Sequence, residues 1–167
     1  RPVPWQFLTP RKLEKGDAVI TEITITYWGY ATQIHRPFAV AAEPTPVYRE
    51  LFDVALECYE AAREVARPGA TSEEIVEVSS RMTEDKGYPI LDSLFHGEGG
   101  RNPELGARDS HNAFDPFTLE ENMVVVIQPN PMTPDGKAGL QLGAAVVVKL
   151  GGGESLHRYP FHFPVCG

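Results

Sequence analysis

The chain has 167 residues, of which 42% are hydrophobic and 23% are charged, and its formal net charge is −8. This length and composition are ordinary for one globular domain with a single core. The acidic balance argues against nucleic acid and anionic membrane surfaces as partners, because both attract clustered Lys and Arg. No run of about 20 apolar residues predicts a membrane span. We therefore expect a cytoplasmic protein with one domain over residues 1–167.

Two strands joined by a tight turn are predicted near the start of the chain. Apolar and polar residues alternate from Val19 to Tyr27, with the period of a strand that has one face in the core. The face expected in the core consists of Val19, Ile23, Ile25 and Tyr27. Gly29 permits a turn, and residues 33–41 are predicted to return as the second strand of a hairpin.

Two amphipathic helices are predicted after the hairpin. Thr45 and Pro46 indicate the start of the first, because Thr caps helices and Pro is favoured at the first helical position. Cys58 falls on the apolar stripe of this helix, so we place it in the core. Residues 71–74 read Thr-Ser-Glu-Glu, a capping box that starts the second helix.

The remainder of the chain is predicted to alternate between strands and loops. Residues 90–95 form a strand, and a Gly-rich loop at 96–100 and a polar, turn-rich stretch at 101–117 follow it. The β-branched run at 123–128 is typical of a central strand, and residues 140–150 are the last strand. A hairpin, two helices and then further strands make an α+β order.

Six short motifs occur in the order typical of one protein family. The first two are Gly-Asp-Ala-Val-Ile-Thr-Glu at 16–22 and Gly-Tyr-Ala-Thr-Gln-Ile-His-Arg at 29–36. The others are Arg-Pro-Gly-Ala-Thr at 67–71, His-Gly-Glu-Gly-Gly at 96–100, Gln-Pro at 128–129 and Gly-Glu-Ser-Leu at 153–156. Together they resemble the aminopeptidase P, prolidase and creatinase family, peptidase M24. This resemblance implies the pita-bread fold, a curved antiparallel sheet covered by helices.

The resemblance covers mainly the C-terminal half of that fold. The family's N-terminal half has no counterpart in the sequence, and the chain begins at Arg1 rather than at Met. We therefore expect a trimmed chain or a fragment. Members of the family are often dimers, which implies a homodimer.

The positions of the family's metal ligands carry unusual residues in this chain. The family places two Asp where this sequence has Glu22 and Gln33, at the same spacing. Its metal-binding His falls on Gly100, and two further carboxylates fall on Gln128 and Gly143. A two-metal site needs several carboxylates and usually an imidazole. We therefore expect no bound metal and no other cofactor.

His96 is the residue that we expect to carry chemistry. In the family a His at this place lies near the substrate, and imidazole is suited to proton transfer near neutral pH. The alternative is a structural His bonded to a backbone carbonyl in a Gly-rich turn. His111 corresponds to a second site His of the family, and we predict that it binds substrate together with Glu22, Gln33 and Gln128.

Two charged neighbours of the site have structural interpretations. Arg36 follows the second Asp position, and we expect it to pair with a carboxylate such as Glu22. Glu98 either orients the imidazole of His96 or points into solvent.

Three functions remain open at this point. The first is a metal-independent, creatinase-like hydrolase that acts on a C–N bond of a small polar substrate. The second is a pseudoenzyme or binding module derived from an Xaa-Pro aminopeptidase, which recognises a peptide or a small ligand. The third is an active metallopeptidase with ligands from elsewhere. In each case the expected partner is a small molecule or a peptide.

Overall fold

The computed structural model describes residues 10–90, 94–98, 101–106 and 115–167. In these ranges the chain forms two helices and eight strands. The helices are α1 (Pro46–Val65) and α2 (Ser72–Glu84). The strands are β1 (Ala18–Tyr27), β2 (Tyr30–Val40), β3 (Phe95–Gly97), β4 (Arg101–Leu105), β5 (Val124–Ile127), β6 (Gly143–Lys149), β7 (Gly152–Ser155) and β8 (Val165–Cys166).

One sheet contains all of the described strands. Its main path runs β1-β2-β6-β5-β3-β4, with β7 paired to β6 and β8 paired to β2. The pairs are antiparallel except for β2 and β8. The strand predicted at 123–128 is confirmed as central, since β5 lies between β6 and β3. The loop predicted at 101–117 is wrong in part, because β4 occupies its start and Leu105 pairs with Phe95 in the core.

The helix signals in the sequence are confirmed with one exception. Helix α1 begins at Pro46, but the side chain of Thr45 makes no capping hydrogen bond. The capping box of α2 forms, with Thr71 and Glu74 each accepting from the other's backbone N–H. Cys58 is fully buried, and burial raises its pKa to about 12. Neither helix has the length and apolar character to cross a membrane, counting only the described residues.

The apolar face of β1 is exposed from Ile23 onward, which corrects its expected place in the core. The side chains of Ile23, Ile25 and Tyr27 are 50%, 62% and 75% exposed. β1 lies at the end of the strand order, and its partner in the described sheet is β2. Helix α1 packs over β5, β6 and β7 rather than over β1. The alternation therefore predicted the strand correctly but not which of its faces is covered.

Candidate functional site

The candidate site lies on the face of the sheet opposite the helices. Strand β6 directs Ala144 and Val146 into the hydrophobic core and Ala145 into a cavity on the other side. Strand β5 likewise directs Val125 into the hydrophobic core and Val126 into the cavity. This division follows from the two-residue period of a strand.

The strand register brings the predicted site residues onto that face. Glu22 on β1 pairs with His35 on β2, and His35 pairs in turn with Gly143 on β6. Residues paired across antiparallel strands share a face, so these three form a row across the sheet. Gln33 lies two residues before His35 on the same face. His96 reaches it from β3, where it pairs with Val126.

A cavity of about 350 Å³ opens between the β1–β2 hairpin and β3. Its volume lies at the lower end of the range for small-molecule sites. The polar part of its lining comes from Glu22, Thr24, Thr26, Thr32, Gln33, His96 and Glu98. The apolar part includes Val124, Val126 and Ala145. Three of the predicted site residues thus meet at one cavity, and a fourth, Gln128, contacts His96.

Glu22 is held by N–H donors along the wall of this cavity. Gln33 Nε2 donates to Glu22 Oε1 at 2.5 Å, and Gln141 Nε2 lies 3.4 Å from Oε2. His35 Nε2 lies 3.6 Å from Oε2. The imidazole of His35, more than the two amides, lowers the pKa of Glu22. The carboxylate is therefore ionised at neutral pH, and 45% of its side chain stays exposed.

His35 is a buried member of the site that the sequence analysis missed. Its side chain is 0% exposed, and neither ring nitrogen has a hydrogen-bond partner. At 3.6 Å the contact with Glu22 is electrostatic rather than a hydrogen bond. The pKa of His35 is lowered, with burial as the largest cause, although the carboxylate of Glu22 acts to raise it. The turn at Trp28 and Gly29 contained the missing signal, because a two-residue loop fixes the register that sets Glu22 opposite His35.

His96 and Gln128 form a buried pair at the other side of the cavity. His96 Nδ1 lies 2.7 Å from the carbonyl oxygen of Gly97. A carbonyl only accepts hydrogen bonds, so Nδ1 carries the hydrogen. His96 Nε2 lies 3.2 Å from Gln128 Oε1. The two interpretations of His96 are therefore compatible, since it bonds to a backbone carbonyl and also lines the cavity.

The expected ion pair between Arg36 and Glu22 is wrong. Arg36 instead donates to four backbone carbonyls, which belong to His35, Gly143, Tyr159 and Pro160. Its guanidinium carbon also lies 3.8 Å from the centroid of the Phe161 ring. Arg36 follows His35 in an extended strand, so its side chain points to the opposite face from Glu22. Its role is to fasten the C-terminal segment to β2.

Glu98 adopts neither of its two expected arrangements. Its Oε1 accepts a hydrogen bond from the backbone N–H of Ala31. This bond ties the end of β3 to the start of β2. Gly100 and His111 lie outside the described residues, so their assignments stay predictions.

The described residues that the resemblance sets at ligand positions do not fit a two-metal centre. Gln33 and Gln128 offer neutral amides, and Gln33 directs an N–H at Glu22. A Cβ at Gly143 would clash with the carbonyl oxygen of Ile127, so this backbone has no room for a side chain there. Within the described ranges, His, Cys, Asp and Glu do not come together in any group of three that could hold a metal ion.

Comparisons with known proteins agree with the motifs and the sheet. The model of metallopeptidase family M24 matches residues 2–149. The Xaa-Pro dipeptidase of Pyrococcus furiosus is 27% identical over 158 residues, which are 93% of this chain and 44% of that protein. The Xaa-Pro dipeptidase of Lactobacillus helveticus is 30% identical over 146 residues, 86% of this chain and 38% of the relative. The chain thus spans less than half the length of these relatives.

Solved structures confirm the expected pita-bread fold. The X-Pro aminopeptidase of Thermotoga maritima superposes with a TM-score of 0.83 at 28% identity, covering 99% of this chain and 46% of that one. The dipeptidase PepE of Mycobacterium ulcerans gives a TM-score of 0.84 at 25% identity, covering 98% and 44%. The fold of this chain therefore corresponds to about half of the fold of a pita-bread peptidase.

Proposed function

Since this chain belongs to metallopeptidase family M24, we propose that it acts as a metal-independent, creatinase-like hydrolase on a C–N bond of a small polar substrate. The observation that carries the proposal is the His96–Gln128 pair at a cavity whose other wall bears one held carboxylate, Glu22. The family scaffold is kept, while the donor set suits a polar organic ligand better than two metal ions.

His96 is the proton-transfer group in this proposal. With its hydrogen on Nδ1, the neutral ring has a lone pair on Nε2. That nitrogen takes a proton from a water molecule as the water oxygen bonds to the substrate carbon. The proton then passes to the departing nitrogen as the C–N bond breaks. Gln128 Oε1, 3.2 Å from Nε2, is placed to accept from the ring while it is protonated.

Glu22, Gln33 and Gln128 are the substrate-binding groups of the described site. Gln33 is nearly buried and fixed by its bond to Glu22, so its amide presents a defined orientation to the cavity. Fixed polar groups orient a substrate at low entropic cost. His111 is proposed as a further contact on the family resemblance alone. A cytoplasmic location and a homodimer are proposals of the same kind.

One observation favours a second candidate, a pseudoenzyme that binds a peptide or small ligand. Several polar groups of the site already have a partner within the protein, with Gln33 Nε2 on Glu22 and His96 Nδ1 on the carbonyl oxygen of Gly97. Such a cavity can recognise a ligand without transforming it. The relatives named Xaa-Pro dipeptidases make a proline-containing peptide the first ligand to try.

Activity assays with and without metal test these functions. The full-length protein is incubated with amides, ureas, guanidines and Xaa-Pro dipeptides, once with EDTA and once with added Mn²⁺, Co²⁺ or Zn²⁺. We expect turnover that survives EDTA and that His96→Ala lowers by about 10² to 10⁴. His162→Ala is the matched control, because His162 lies in the C-terminal segment and contacts Tyr159 rather than the cavity.

Each alternative has its own outcome in the same assays. Dipeptide hydrolysis that EDTA abolishes and metal restores, with stoichiometric metal in protein purified without chelator, would replace the proposal by a metallopeptidase. Equal activity of wild type and His96→Ala would remove His96 from the mechanism. Binding of a peptide by calorimetry without any turnover would favour the pseudoenzyme.

A further inference from the structure

We propose that strand β1 is an interface, at which it pairs with β1 of a second copy of this chain. The two strands run antiparallel across a two-fold axis at Thr24, so that the cavity faces of the two copies adjoin. Neither the family resemblance nor any step of the proposed hydrolysis enters this inference. It concerns the free edge and the back face of β1, which the proposed function leaves unused.

The outer edge of β1 has the features of a pairing edge. The strand is 10 residues long and lies at the end of the strand order, and β2 is its partner among the described strands. Residues 22–27 of this strand are exposed. Edge strands are usually kept from pairing by short length, Lys, Pro or bulges. β1 contains neither Lys nor Pro, and its register with β2 is continuous from Ala18 to Tyr27.

The back face of the hairpin, opposite the cavity, bears a contiguous apolar patch. Ile23, Ile25 and Tyr27 share this face on β1, and Tyr30 pairs with Tyr27 from β2. The two tyrosines are each 75% exposed, and Trp28 beside them is 84% exposed. Because an aromatic side chain buries about 150–250 Å², these three rings alone offer roughly 450 Å². An apolar patch of this size on a soluble protein indicates an interaction site.

The hydrogen-bonding pattern of the hairpin decides which β1 residues can bond to a second copy. A two-residue loop is closed by a hydrogen-bonded pair, here Tyr27 and Tyr30. Along an antiparallel ladder such pairs alternate with pairs whose backbone groups point outward. The N–H and C=O groups of Glu22, Thr24 and Thr26 therefore point to the free edge. A second strand can bond to them without disturbing the ladder between β1 and β2.

The sequence of β1 is complementary to itself about Thr24. With Thr24 opposite its own copy, Glu22 faces Thr26 of the second copy and Ile23 faces Ile25. Apolar residues then pair with apolar residues on the back face, which is favourable. Glu22 is the one charged residue of β1, and in this register it does not face a like charge. An axis at Glu22 would instead set two carboxylates directly opposite each other, which is unfavourable.

This register makes the second copy part of the cavity wall. Glu22, Thr24 and Thr26 line the cavity, and residues that lie opposite each other on antiparallel strands share a face. Thr26 of the second copy is therefore placed beside Glu22, and the two cavities open onto one groove across the axis. Dimerisation thus adds a hydroxyl group beside the carboxylate on this wall.

The dimer should be weak. A specific interface of standard size buries about 800 Å² on each partner, and one strand pair with its apolar patch provides less. The net charge of −8 on each copy also opposes association. We therefore expect a dissociation constant of about micromolar or weaker, with the monomer prevailing in dilute solution.

Sedimentation velocity over a concentration series tests whether β1 is the interface. We expect the full-length protein to show a reversible equilibrium between monomer and dimer. Ile25→Lys places a charge in the apolar patch and should weaken dimerisation at least about tenfold. Thr24→Pro removes an N–H that points to the free edge and should have a similar effect, because Pro is tolerated at such edge positions. Leu150→Lys is the control, since Leu150 is 79% exposed at the turn between β6 and β7.

Charges at positions 24 and 26 test the register. Thr26→Lys sets an ammonium group opposite Glu22 of the second copy and should strengthen dimerisation by about threefold or more, whereas Thr26→Glu should weaken it. Position 24 faces its own copy, so Thr24→Lys and Thr24→Glu should both weaken dimerisation. Equal effects of Thr26→Lys and Thr26→Glu would overturn the register.

Amide hydrogen exchange at low and high protein concentration identifies what covers this edge. The N–H groups of Glu22, Thr24 and Thr26 should exchange fast in the monomer and more slowly as the dimer forms. Slow exchange in a protein that stays monomeric would mean that another segment of the same chain covers the edge, which would overturn the proposal. Fast exchange at every concentration, or a dimer that Ile25→Lys leaves unchanged, would also overturn it.

The outcome is distinguishable from that of the hydrolase proposal, because association is measured without substrate. His96→Ala should dimerise like wild type, since His96 lies on β3 and not on the β1 edge. Turnover by a protein that stays monomeric would refute the interface and leave the hydrolase standing. Dimerisation through β1 without turnover of any substrate would support the interface and refute the hydrolase.

Discussion

Gly143 on β6 pairs directly with His35 on β2, and a Cβ added to Gly143 would lie 3.0 Å from His35 Nδ1. The same Cβ would lie 2.8 Å from Cα of Gln128 and would clash with the carbonyl oxygen of Ile127. The family resemblance expects a carboxylate at position 143. A side chain at position 143 would therefore compete with the backbone of β5 and with the buried imidazole of His35 for the same space. Gly143 and His35 lie in the row that also contains Glu22.

We predict that Gly143→Ala destabilises the fold. The clash is with backbone atoms, which cannot rotate away, so overpacking should cost about 1 to 3 kcal/mol of unfolding free energy. Urea unfolding measures this change in the free energy of unfolding. Gly151→Ala is the control, because a Cβ there meets no atom within 4 Å, and it should change stability by less than about 0.5 kcal/mol. Equal effects of the two substitutions would show that β5 and β6 are less closely packed at this point.

The second prediction concerns pH. Burial lowers the pKa of His35 from its ordinary value of 6.5, and His35 lowers that of Glu22 from 4.5. A group with a lowered folded pKa binds fewer protons when folded than when unfolded, so acid favours unfolding. Through His35, the free energy of unfolding should therefore fall as the pH drops past 6.5. Glu22 adds to the loss only as the pH drops past 4.5.

Urea unfolding at about pH 7.5 and about pH 5.5 brackets the ordinary imidazole value. Wild type should lose more stability between these two conditions than His35→Gln, which removes the titrating group and keeps a donor. If both proteins lose the same amount, His35 either titrates normally or is not buried as described.

Much of the fold could be predicted from local signals, because those signals act within a few residues. The capping box at Thr71 and Glu74 and the Pro46 helix start need no tertiary information. The buried face of β1 could not be predicted in this way. The alternation of apolar and polar residues shows that the strand has two different faces. Which face is covered depends on where the helices pack.

The site residues also divide into those that the local sequence predicts and those that depend on the assembled sheet. Motif spacing identified Glu22 and Gln33, but the register, not the spacing, decides which residue lies opposite Glu22. The two-residue turn sets His35 there and sends Arg36 to the other face. Close approach of β5 to Gly143 is a property of the assembled sheet, and the sequence has no signal for it.

We predict that Arg36→Lys loosens the C-terminal segment. Lys is charged but lacks the planar fork with which Arg36 donates to four carbonyls and stacks on Phe161. The loss should be about 2 kcal/mol, since hydrogen bonds to charged groups contribute about 1.5 to 3 kcal/mol. Proteolysis should also become faster in the segment from Tyr159 to Phe161. Unfolding free energies and mass spectrometry of timed digests measure the two effects.

Arg81→Lys is the matched control for Arg36→Lys. Arg81 is exposed and forms an ion pair with Glu77 one helical turn away, so its replacement should change stability by less than about 0.5 kcal/mol. If Arg36→Lys behaves like Arg81→Lys, the contacts of Arg36 contribute nothing that a simple charge does not.

The last prediction uses the exposed face of β1. Ile25→Thr replaces a side chain that is 62% exposed by another β-branched residue with high strand propensity. The unfolding free energy should change by less than about 0.5 kcal/mol. Self-association should decrease, because Ile23, Ile25 and Tyr27 form an apolar strip on a strand at the sheet's end. Ile75→Thr, a fully buried position on α2, is the control and should cost at least about 1 kcal/mol. Sedimentation velocity over a concentration series measures association. A large stability loss in Ile25→Thr would mean that another part of the molecule or a second copy covers this strip.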